Sequence, residues 1–202
     1  MIESKKELDK YINLERTLWI RRNYPNNIPK RIHSKELSFV SALRHVEYCS
    51  SLTRFRRIIE GSIYGKIKYK ILSRMCNVMI PINVFGKGLL IMHLQNIVIS
   101  SQVKVGEYCC LFHNVTLGIK LGNGDNGKCP VIGNGVTICC GAGVFGDVYI
   151  ADEITVGANA VVTKRCDEKQ VVLGGIPAKI IGRKTGFSMI KFKNNIIEER
   201  AK

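Results

Sequence analysis

The sequence predicts a mainly β protein: a parallel β-helix preceded by a small α-helical N-terminal domain. Three observations carry that prediction. An aliphatic residue recurs every six positions through the second half of the chain, small residues and glycines stand at fixed offsets from it, and helical texture is confined to residues 1–80.

The hexads run from Ile99 through Val105, Leu111 and Leu117, then after an interruption through Ile132, Ile138, Val144, Ile150, Val156 and Val162. Four residues after most anchors stands a small or β-branched residue: Val103, Cys109, Val115, Val136, Ala142, Val148, Ile154 or Ala160. Glycine follows the anchor at Gly106, Gly118, Gly133 and Gly157, whereas Phe112, Cys139 and Phe145 break that rule. A period of six matches neither the helical period of roughly 3.6 nor the turn spacing of roughly 8–12 residues in a sandwich. It matches a short strand and a corner, repeated three times per coil, with the anchor pointing inward. Upstream, Phe85 and Ile91 continue the phase, and the step from Ile91 to Ile99 is a hexad with two extra residues. The interruption at 119–131 is rich in Gly, Asn and Asp, so a loop should leave one corner there.

The N-terminal part reads differently. Ser4-Lys5-Lys6-Glu7 has the capping-box pattern and opens a helix carrying Leu8, Ile12 and Trp19. Pro25 and Pro29 mark a break, a second helix is expected over 35–49 and a third over 52–76. The chain thus divides into a helical domain at 1–80, a β-helix at 81–185 and a basic tail at 186–202.

With 202 residues, the chain suits one domain with a helical appendage. No apolar stretch reaches the roughly 18 residues of a membrane span. The first residues carry acids and no apolar core of a secretory signal, so a cytoplasmic protein is expected. The eight cysteines contain no C-x-x-C, which argues for reduced thiols and against a structural zinc. The formal charge is +15, and residues 1–84 hold 17 basic and 7 acidic side chains. Such a balance suits phosphate-bearing partners. No recognition motif accompanies it, so nucleic acid is set aside. The basic runs Arg54-Phe55-Arg56-Arg57 and Lys66-Ile67-Lys68-Tyr69-Lys70 read either as a surface for acidic lipid headgroups or as solvated faces of oligomer-forming helices.

The hexads, Met92-His93, Val115-Thr116-Leu117-Gly118 before a glycine-rich loop, and Gly174-Gly175-Ile176-Pro177-Ala178-Lys179 together resemble the hexapeptide-repeat acyltransferases. The likeness is greatest to their serine acetyltransferase branch, including related polysaccharide O-acetyltransferases. It covers roughly Pro81 to Arg183. The resemblance implies a left-handed β-helix, a homotrimer that is sometimes doubled through the N-terminal helices, and acetyl-CoA as co-substrate lying between neighbouring β-helices.

Acetyl transfer to an alcohol needs a base for the hydroxyl proton, donors for the tetrahedral oxyanion and a cradle for CoA. Imidazole suits the first task because much of it is neutral near neutral pH. His93 and His113 each stand two residues after an anchor, and counting hexads stacks Leu111 on Ile91, hence His113 one coil from His93. His93 matches the family's catalytic position and is assigned as general base, with His113 as an accessory donor or positioning group. By the same resemblance Gly118, Cys140 and Ala158 would line the pantetheine arm, and Lys164, Lys179 and Arg183 would lie near the phosphates.

The chain also departs from the serine acetyltransferase pattern. Met92 stands where an aspartate precedes the catalytic histidine, and Val78 where a carboxylate orients it. Lys128-Cys129 stands where an Arg-His pair grips serine. Met92 and Lys128 are therefore the candidate acceptor contacts. Without a carboxylate for an amino acid's ammonium, the residues favour a neutral acceptor such as a sugar or polysaccharide-precursor hydroxyl. L-Serine acetylation is the alternative, and a non-catalytic scaffold is a third. A zinc hydratase would need about three histidine ligands. Only His93 and His113 lie in the repeats, so no metal is expected.

Overall fold

The computed structural model describes residues 2–24, 34–53, 63–120, 127–183 and 194. Its hexads form a three-faced parallel β-helix. The first face holds Val78–Met79, Ile97–Ile99, Thr116–Gly118, Gly143–Phe145 and Val161–Val162. The second holds Lys104–Val105, Val131–Ile132 and Tyr149–Ile150. The third holds Leu90–Ile91, Cys110–Leu111, Thr137–Ile138, Thr155–Val156 and Val171–Gly174, and is closed by the antiparallel strand Lys179–Arg183.

The register follows the anchors. On the third face Ile91 pairs with Leu111, Leu111 with Ile138, Ile138 with Val156 and Val156 with Leu173. On the second, Val105 pairs with Ile132 and Ile132 with Ile150, with isolated bridges to Phe85 below and Cys166 above. All ten anchors from Ile99 to Val162 are 6 % exposed or less, so each coil adds aliphatic side chains to one continuous lumen. The residues four positions on, such as Val115, Val136 and Ala160, are buried beside them.

The corner glycines are needed mainly for close approach. A Cβ on Gly106 would lie 2.9 Å from the Gly133 carbonyl carbon, and one on Gly133 would lie 2.8 Å from the Asp152 nitrogen. Much of the left-handed backbone at the corners is taken by asparagine, at Asn83, Asn96, Asn114 and Asn159. Its short polar side chain tolerates that conformation.

Among the described residues three helices precede the coils. Helix α1 (Lys5–Asn23) is capped by Ser4, whose Oγ accepts from the Glu7 nitrogen at 3.2 Å. The Glu7 carboxylate reaches back to the Glu3 nitrogen, one residue before the position the capping-box pattern implies. Helix α2 (Lys35–Ser51) runs two residues past its expected end, and helix α3 spans Ile63–Met75. The third helix was expected to begin at Leu52. Leu52 instead caps α2 in an extended conformation, which stops helix propagation there. Pro25 and Pro29, Arg54-Phe55-Arg56-Arg57, loop residues 121–126 and the tail from 186, apart from residue 194, lie outside the described residues.

The helices dock on the first coils by two means. Leu18 and Trp19 of α1 pack on Leu90, Tyr108 and Cys110 of the third face, while Phe39, Val40 and Leu43 of α2 join the lumen core. Between them Arg44, 1 % exposed, donates to Glu15 at 2.6 Å and Glu47 at 2.8 Å. It also donates to the carbonyls of Phe85 and Gly86. Glu15 and Glu47 in turn accept the backbone nitrogens of Leu89 and Asn83. The two carboxylates hold the guanidinium's proton more tightly than usual, and burial pushes the Glu15 carboxyl up. Every strong donor in this buried cluster therefore has an acceptor.

Candidate active site

The corner between the third and first faces is where the sequence places its chemistry. The first four strands of the third face each end at an inward anchor, and the second residue after it stands at the turn. The register Ile91–Leu111–Ile138–Val156 therefore stacks His93, His113, Cys140 and Ala158 in one column. Backbone bonds tie successive corners together: Asn114 N to Gln95 O, Gly141 N to His113 O and Asn159 N to Cys140 O. The spacing is that of neighbouring strands, about 4.8 Å.

His93 is exposed, and its ring lies 5.6 Å from that of His113, edge to face at 64°. Phe112 sets a second edge against His93 at 6.2 Å. The His93 ring is thus braced on two sides and open to solvent on the rest. His113 is half-buried, and its Nδ1 is shielded with no hydrogen-bond partner among the described residues. Sequence reading missed Phe112 as a site residue. The available signal was its place directly after anchor Leu111, where glycine often stands in other hexads.

The other candidates divide into separate groups. Cys140 is half-buried and Ala158 exposed above the histidines, and their small side chains leave the corner shallow. Gly118 lies across the first face at the opposite corner, and a Cβ there would meet nothing within 4 Å among the described residues. Lys164 is exposed, two residues after the top anchor of the first face, at that same far corner. Lys179 pairs with Gly174 near the top of the histidine column. Arg183 lies at the other end of its strand in a 2.6 Å ion pair with Glu168. A single chain therefore gathers His93, His113, Cys140 and Ala158, with Lys179 above them, while Gly118, Lys164 and Arg183 lie elsewhere.

The acceptor candidates are placed differently again. Met92 is half-buried against the cluster of Leu18, Trp19, Leu90, Tyr108 and Cys110, which is a packing position. Lys128 forms a 3.0 Å ion pair with Asp147 at the far corner, and Cys129 is buried with its thiol on the Ser100 hydroxyl at 3.3 Å. Val78 is buried in the first face and offers no carboxylate. None of the eight cysteines is in a disulfide, and burial pushes the Cys109 thiol well up, so it is inert at neutral pH.

No protein-family model matches the chain. In sequence it is 37 % identical over 105 residues to the serine acetyltransferase of Mycobacterium tuberculosis, covering 51 % of this chain and 44 % of that protein. It is 34 % identical over 98 residues to the serine acetyltransferase of Synechococcus elongatus, covering 48 % and 39 %. The chain thus spans less than half the length of these relatives. In structure it superposes on the serine acetyltransferase of Neisseria gonorrhoeae with a TM-score of 0.69 and 22 % identity, over 91 % of this chain and 70 % of that one. The Brucella abortus serine acetyltransferase in complex with coenzyme A gives a TM-score of 0.68 over 91 % and 71 %. The coils and the helices before them therefore form a left-handed parallel β-helix with a helical N-terminal region. Sequence and fold together bear out the resemblance carried by the hexads: the chain is related to the serine acetyltransferase branch of the hexapeptide-repeat acyltransferases.

Proposed function

We propose that the protein is an acetyl-CoA-dependent O-acetyltransferase of the serine acetyltransferase type, with His93 as general base. The observation that carries this reading is an exposed imidazole braced by His113 and Phe112 at the foot of a column of small corner residues. His93 takes the proton of the acceptor hydroxyl as its oxygen attacks the acetyl carbonyl. The tetrahedral oxyanion then collapses, the carbon–sulfur bond breaks, and the imidazolium returns its proton to the departing CoA sulfur. His113, whose Nδ1 has no partner among the described residues, serves as donor or positioning group. Cys140 and Ala158 fit a cradle that lets the backbone approach the pantetheine arm, and Lys164 and Lys179 are exposed for the phosphates. Gly118 and Lys164 stand at the opposite corner from the histidines, which suits a trimer whose sites are shared between neighbouring β-helices.

L-Serine is the acceptor that the named relatives support. A specific observation favours a second reading, a neutral sugar hydroxyl: Met92 is packed away, Lys128 is engaged with Asp147, and Cys129 is buried. The test is release of CoA thiol from acetyl-CoA with L-serine and, in parallel, a panel of sugar acceptors. One acceptor should give saturable turnover that falls at least about 100-fold in His93→Ala. Unchanged turnover in that variant sinks the assignment of the base, and the better acceptor decides between the two readings.

A further inference from the structure

Helix α3 presents an apolar face that no other described residue covers. Its inner side is anchored: Tyr69 stacks on Phe39 with ring centroids 5.5 Å apart and donates its hydroxyl to the Ile80 carbonyl at 2.6 Å. The outer side carries Ile63, Ile67, Ile71 and Met75 at successive i, i+4 positions, 73, 52, 50 and 77 % exposed. Water-facing aliphatic side chains at helical spacing mark a contact surface. Lys66, Lys70 and Arg74 repeat at the same spacing along one flank, Lys68 lies on the other, and the helix contains no acidic residue. Between α3 and the first turn of α2 runs a groove of about 440 Å³, floored by Tyr64, Ile67, Ile71 and Leu72 with Lys35 and Lys68 beside them.

We infer that α3 is a peripheral docking surface for an anionic lipid bilayer. A helix with an aliphatic face and cationic flanks lies in the headgroup plane, its apolar side chains entering the acyl boundary while the flanking lysines meet phosphates. Charge decides the occupant. Two copies of the chain meeting α3 to α3 would oppose four cations with four cations. An anionic leaflet supplies the complement at every position, and the groove offers an apolar floor with a cationic rim for one lipid. At 13 residues the helix is about 20 Å long, too short to span a bilayer, so it lies on the surface. This inference is independent of the reading of His93.

The experiment is co-sedimentation of the full chain with vesicles of phosphatidylcholine alone and of phosphatidylcholine with phosphatidylglycerol, alongside its mass by light scattering. The protein should sediment only with the anionic vesicles. Binding should be abolished in the double variant Ile67→Asp with Ile71→Asp. It should weaken by about tenfold or more in Lys66→Glu with Lys70→Glu. Both variants should keep the wild-type mass. Failure of the wild type to sediment with anionic vesicles overturns the proposal, as does binding that survives the Ile67 and Ile71 changes. A fall in mass of either variant assigns the face to a second copy of the chain and overturns it equally.

Discussion

His93 and His113 are neighbours because they share one offset from anchors that the register stacks, Ile91 on Leu111. That adjacency was legible in the sequence, since counting three hexads per coil suffices to find it. The surroundings were not. Phe112 and Met92 are both outward residues, and only the docking of α1 across the third face shows that both pack against one cluster with Leu18 and Trp19, Phe112 also setting its ring against His93. The two imidazoles are separable by amide replacement, because glutamine retains a donor and an acceptor but takes no proton. His113→Ala should lower kcat about 10- to 100-fold with KM for acetyl-CoA nearly unchanged, and His113→Gln should recover much of that loss. At position 93 glutamine should be no better than alanine. Steady-state kinetics on the four variants check this; rescue by glutamine at 93, or none at 113, would reverse the roles.

The hexad holds at the level of the coil because each of its positions has a different steric duty. Anchors and their i+4 partners fill the lumen, and the six-residue recurrence that this burial imposes makes the strand positions readable in the sequence. The glycine after the anchor has no single meaning. At Gly133 a Cβ would strike Asp152 Oδ1 at 2.5 Å and backbone atoms at 2.8 and 2.9 Å, whereas at Gly118 it would meet open space. Sequence spacing treats the two alike; only the coil above distinguishes them. Gly133→Ala should therefore lower stability by about 1–3 kcal/mol, while Gly118→Ala should change it by less than about 0.5 kcal/mol. Denaturant midpoints of the two variants provide the comparison, and equal midpoints would mean that the coils are not held by close backbone approach. Helix ends were less legible, because the stop at Leu52 depends on one residue's extended backbone and not on periodicity.

At the scale of the molecule two junctions matter, one within the chain and one between chains. Within it, Arg44, Glu15 and Glu47 join helices to coils, a cluster invisible in sequence because charged residues on helices are usually solvated. Arg44→Ala strands two buried carboxylates and should cost about 3–5 kcal/mol, read as a lowered unfolding midpoint; a loss below about 1 kcal/mol would show that the apolar contacts alone dock the helices. Between chains, the proposed site needs the His93 corner of one protomer to face the Gly118 corner of the next. That arrangement predicts complementation. His93→Ala removes the proposed base, and Gly118→Phe fills the proposed cradle while its side chain projects into space that is open among the described residues of the single chain. Each variant alone should be nearly inactive. In mixed trimers refolded from both, a protomer with an intact His93 meets one with an intact Gly118 at a definite fraction of interfaces, so activity should return. Separately refolded variants combined afterwards, without subunit exchange, should remain inactive. If mixed trimers stay as inactive as their parents, both residues serve the same cleft of one chain, and the division of the site between neighbouring β-helices is wrong.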